Sequence, residues 1–156
     1  MLEAPLDAWY VWIGLAIVSS ATFGVVSTLP SAPPPDASGA AETVDSVAAS
    51  EYAAVGKHPL SNADAIRVGA NSISVRGSGG ATEHEPFGYA PVTPVVNASD
   101  LRPVLLGEPP QRVFDAPSEF EGAATRARAE EPEWQRTDGL IVRRVQWGEI
   151  DVVLVG

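Results

Sequence analysis

Leu140 to Val155 reads LIVRRVQWGEIDVVLV. Leu140–Trp147 and Ile150–Val155 are rich in β-branched and aromatic residues and meet across Gly148-Glu149, the pattern of a β-hairpin. Val152, Val153, Leu154 and Val155 are apolar on both faces of their strand, which places it inside a sheet and not at an edge. Trp147 is expected to pack against that core. Arg143 and Arg144 send one guanidinium to each side of the strand, and one of them is expected to pair with a neighbouring carboxylate.

Moving back along the chain, Ser118 with Glu121 has the spacing of a capping box. Phe120, Ala123, Ala124 and Ala127 then give a helix with a narrow apolar face, ending before Pro132. Residues 90–111 contain five prolines and predict irregular chain with one helical turn near Leu101–Leu106. Ala65–Val68 and Ser72–Arg76 alternate about Gly69-Ala70-Asn71 and predict a second hairpin, with Thr82–Tyr89 as a third strand beyond the loop at 77–81. From Glu42, the residues Val44, Val47, Ala48, Tyr52 and Val55 follow a helical period that Gly56 would close. The sum is an α+β domain over 42–156, two helices on an antiparallel sheet of four to five strands.

Ahead of that domain, residues 30–41 (PSAPPPDASGAA) read as a Pro- and Ala-rich linker of extended geometry. Residues 8–29 (AWYVWIGLAIVSSATFGVVSTL) carry no charge and would reach about 33 Å as a helix, the length of a transmembrane span. Residues 1–7 form a short tail before it. Trp9, Tyr10 and Trp12 would anchor one interface, and Pro30 would stop the helix at the other. Ala16, Ser20, Gly24 and Thr28 recur every four residues as a small-residue ridge suited to helix packing in lipid. The span is expected to be retained, because the prolines after Ala32 make a poor cleavage site. The partners implied are the lipid bilayer and other membrane proteins or a second copy, and the place implied is the cell membrane. Lys and Arg are absent from 1–56, so loop charge does not orient the chain. Asn97-Ala98-Ser99 is an N-glycosylation acceptor and favours an external C-terminal domain.

The chain has 156 residues and a formal charge of −10, with one lysine beside nine arginines and no cysteine. This balance excludes a nucleic-acid partner, which needs clustered cations. It also suits a carboxylate-rich surface in high salt. Without cysteine there is no disulfide, thiolate metal site or thiol nucleophile. No cofactor, metal or catalytic residue is expected. In Glu83-His84-Glu85 a strand would turn the imidazole away from both carboxylates. His58 lies beside Pro59 in a turn. Gly77-Ser78-Gly79-Gly80 lacks the Lys-Ser/Thr of a phosphate loop and the frame of a nucleophile elbow. Glu130, Glu131 and Glu133 lack the alternating spacing of a calcium loop.

The opening MLEAPLDAWYVWIGLAI, followed by LPSAPPPDASGAAETVD, resembles a family of uncharacterised haloarchaeal single-span membrane proteins with an aromatic anchor, a Pro-rich stalk and a compact domain. It is also loosely similar to type IV pilin-like or secretion-associated surface proteins, although the prolines from Pro30 break the long helix of a pilin. The resemblance implies no activity. It implies a non-enzymatic accessory or structural component of an archaeal cell-surface assembly, acting through helix packing and protein contacts. The alternative is a monomeric, membrane-anchored extracytoplasmic binding module, and a hydrolase ranks third.

Overall fold

The computed structural model describes residues 7–27 and 33–156, with the side chains of its first helix described over 9–19. The chain divides into two compact units, residues 1–31 and 32–156. In the first unit, α1 runs Asp7–Ser27. Among the described residues no helix is long and apolar enough to cross a membrane, so the transmembrane helix expected over 8–29 is not seen. The stop expected at Pro30 lies outside the described residues.

The second unit is α+β. Its elements are α2 (Ala37–Ala48), β1 (Val55–Pro59), β2 (Ala63–Val68), β3 (Ser72–Gly77), β4 (Thr82–Pro86), β5 (Thr93–Pro94), α3 (Leu101–Leu106), α4 (Pro117–Ala129), β6 (Gln135–Arg136), β7 (Gly139–Trp147) and β8 (Ile150–Val155). The strands form two four-stranded sheets, ordered β1-β7-β8-β5 and β4-β3-β2-β6. A single antiparallel sheet carrying two helices is therefore corrected to two sheets and three helices in this unit. The division is hidden in the sequence because β5, which completes the first sheet, and β6, which completes the second, are only two residues each and form by pairing with distant strands.

Both hairpins form where the alternation placed them, with Val68 opposite Ile73 and Trp147 opposite Ile150. Gly148 takes a φ of 65°, the left-handed conformation that a tight turn asks of glycine. β8 lies between β7 and the parallel β5, inside its sheet as its two apolar faces require. Leu140, Val142 and Val155 face a core shared with α2 and the second sheet, while Val145, Val152 and Leu154 face a core shared with α3 and α4. The first sheet thus has an apolar core against each face, and the second against one.

α2 begins earlier than the helical period suggested. Ala37, Ala40, Ala41, Val44 and Val47 form its buried face, so residues 37–41 are helix where an extended linker was expected. Three alanines of that stripe lie in a run that reads as low-complexity spacer, yet their small size lets the helix sit close to the strands. Asp36 supplies the N-cap, its Oδ1 accepting from the Gly39 amide at 2.8 Å. The helix stops at Ala48, and Gly56 lies inside β1 instead of closing it. A Cβ at Gly56 would meet the Thr43 and Val47 methyls at 2.9 and 2.8 Å, so the missing side chain is what lets α2 lie on β1. Asp45, on the same helix, accepts from the Gly88 and Tyr89 amides at 3.0 Å each and pins the loop after β4.

α4 also starts differently. Pro117 opens it after Ala116, and Glu119 accepts from the Asp115 amide at 3.0 Å, so the cap expected from Ser118 and Glu121 is not formed. Phe120 and Ala124 are fully buried, and the Phe120 ring lies 5.5 Å from that of Phe114 and 6.3 Å from that of Trp147.

Candidate functional site

Two surfaces carry side chains that the fold leaves facing outward. The first is α1. Trp9, Tyr10, Val11, Trp12, Ile13, Leu15 and Ile17 are each 47–75% exposed, and at about 100° per residue these positions cover every side of the helix. A helix that is apolar all round is ordinarily enclosed by other apolar groups. Trp9, Tyr10 and Trp12, expected as interface anchors, stand together in its first turns. Ala16 is exposed; Ser20 and Gly24 fall on the same helix without described side chains, and Thr28 lies outside the described residues.

The second surface is the outer face of the sheet β4-β3-β2-β6. Alternation in β2 and β3 sends Ile66, Val68, Ile73 and Val75 into the core. The same alternation sends Ala65, Arg67, Ser74 and Arg76 to the other side, where the two arginines are exposed while Ala65 and Ser74 lie buried beneath the surface. Strand pairing sets Arg136 opposite Ala65, Thr82 opposite Arg76 and His84 opposite Ser74, and directly opposed residues share a face. The Trp134 ring lies over this surface, with the Arg76 and Arg67 guanidinium carbons 4.0 and 5.0 Å from its centroid. Contact with an aromatic face holds a guanidinium in place while leaving its N–H edge open. Arg67, Arg76 and Arg136 are exposed, and among the described residues none of them is in an ion pair.

His84 Nδ1 lies 3.0 Å from the Ser74 hydroxyl on that outer face. Glu83 and Glu85 are opposite Val75 and Ile73 on the inner side. The three residues therefore diverge as a strand dictates, and among the described residues no group of three could hold a metal ion. His58 stands in β1 and not in a turn; its Nε2 is buried 3.2 Å from Asp36 Oδ2 at the start of α2.

Arg143 and Arg144 part as expected. Arg143 donates to the Leu105 carbonyl at 3.0 Å on the α3 side. On the α2 side, Arg144 donates to the carbonyls of Ala48, the last residue of the helix, and of Ser50 just beyond it, and forms a forked pair with Asp151. The hydrogen bonds of that fork raise the Arg144 pKa and hold the Asp151 carboxyl below the usual carboxylate range. This pair ties strand to helix and turns no open group toward a cavity.

A cleft of about 280 Å³ lies where α4 meets the loop before α3, lined among others by Val96, Ser99, Arg126, Glu131 and Gln135. Asn97 is exposed beside it, and its backbone N–H donates to Gln135 Oε1 at 3.1 Å. Sequence reading passed over Arg67, Arg76, Trp134 and Arg136. The first two were visible in the alternation of the hairpin about 69–71, but Trp134 and Arg136 join them only through pairing with β6.

The chain belongs to the DUF7283 family, a family of unknown function, whose model matches residues 3–145. No curated protein and no solved structure matches the chain.

Proposed function

We propose that this member of a family of unknown function is a non-enzymatic accessory or structural component of a cell-surface assembly, working through protein contacts in which α1 is the docking element. The observation that carries the reading is the exposure of Trp9, Tyr10, Trp12, Leu15 and Ile17. Each large apolar side chain left in water forgoes about 1.5–3 kcal/mol that enclosure would recover. Aromatic residues are also the commonest anchors of protein interfaces. An exposed Asn97 acceptor on a loop agrees with a surface location.

Cysteine scanning tests this directly, because the chain has no cysteine of its own. A cysteine placed at Leu15 is expected to give a defined crosslinked product, with a second copy or with one partner, in native preparations. A cysteine at the exposed Tyr89 serves as the comparison. Equal and diffuse crosslinking at both positions, or none at Leu15, would sink the reading.

A further inference from the structure

We infer that the outer face of the sheet β4-β3-β2-β6 is a docking surface for a carboxylate-rich segment of a partner protein, gripped by Arg67, Arg76 and Arg136 around Trp134. This goes beyond the role given to α1 and does not depend on it.

Charge segregation carries the argument. Acidic residues outnumber basic ones twenty to ten, yet the exposed paired positions of this face hold Arg67, Arg76, Arg136, His84 and Thr82, above a buried Ala65 and Ser74, with no carboxylate among them. The acidic side chains of β4 are turned to the opposite side, Glu83 and Glu85 lying across from Val75 and Ile73. The nearest acidic neighbours in sequence are Asp64, in the bulge of β2, and Glu133, next to Trp134.

A merely solvated face would not need a tryptophan. Trp134 is half-buried under two guanidiniums, which restricts arginines that would otherwise lose rotamer freedom on binding. An ordered guanidinium presents a planar fork that matches a carboxylate through two parallel hydrogen bonds. Short acidic peptides suit the face better than polyphosphates or nucleic acid. The chain's net charge of −10 repels a dense polyanion over several phosphates at once, whereas a peptide brings a few carboxylates to the cationic patch alone.

The test is anisotropy titration of a fluorescein-labelled oligoglutamate peptide with the full chain, in parallel with the R67Q/R76Q and R67K/R76K variants. Saturable binding is expected, weakened about tenfold or more in R67Q/R76Q and partly retained in R67K/R76K, which keeps the charge but loses the fork. Quenching of tryptophan fluorescence that disappears in W134F places the peptide on this face. The exposed positions of both arginines keep the variants folded, which circular dichroism checks. Peptide binding unaffected by R67Q/R76Q would overturn the proposal. So would polyphosphate binding more tightly than the peptide at equal charge, or a face that only joins two copies of this chain and ignores the peptide.

Discussion

The Arg144 guanidinium serves three backbone and side-chain partners at once: the carbonyls of Ala48 and Ser50, and the Asp151 carboxylate. Its side chain is 19% exposed and that of Asp151 36% exposed, so solvent screens the pair and its net worth is modest. Asp151 to Asn is expected to cost about 1 kcal/mol near neutral pH. Because the folded state holds the Asp151 carboxyl below its ordinary pKa, its contribution is complete above the unfolded-state value and is lost as pH falls through the folded-state value. The D151N variant should therefore show a shallower loss of stability in acid than the parent, read from urea midpoints over a pH series. Gly39 offers a sharper case. Gly→Ala inside a helix normally stabilises by about 0.5–1 kcal/mol. A Cβ at Gly39 would instead run into the Asp36 carboxylate and stand 2.7 Å from His58 Cε1, so Gly39→Ala is expected to destabilise by about 1 kcal/mol through the lost cap. A midpoint shifted upward would contradict that placement.

At the scale of elements, α4 depends on one side chain. Phe120 is fully buried between α3, α4 and the first sheet, and its ring neighbours Phe114 and Trp147 are themselves anchored elsewhere in the chain. Phe120→Ala is expected to cost about 3–5 kcal/mol, measured by chemical denaturation, because rings held from two directions collapse poorly into the space. Gly56 shows the complementary case, in which an absent side chain lets α2 meet β1. The hairpins, α3 and α4 were legible because their periods are local. The start of α2 was not, because alanine is a core residue only where a neighbouring surface comes close enough to bury it.

At the scale of the molecule, the members of both buried clusters among the described residues fall within 37–155. A chain beginning at Ala32 is therefore expected to keep a cooperative unfolding transition within about 1 kcal/mol of the full chain, while losing the crosslinked product formed at Leu15. Thermal and urea denaturation of the two forms checks the first part. A truncated chain that fails to fold would show that α1 contributes to the core. The cationic face belongs to the same scale, since no single segment contains it: β2, β3 and the segment around β6 each contribute residues.

The amino-acid sequence by itself determined the two hairpins, the placement of β8 inside a sheet, and the divergence of Glu83, His84 and Glu85. Each follows from the two-residue period of a strand, which acts between neighbours in the chain. Only the tertiary structure decided that the strands divide into two sheets and that a run rich in alanine is the buried stripe of α2. It alone showed how Arg67, Arg76, Arg136 and Trp134 converge. Those outcomes depend on which surfaces meet across long separations in the chain, and burial and strand pairing at such distances leave no periodic trace in the residues that take part.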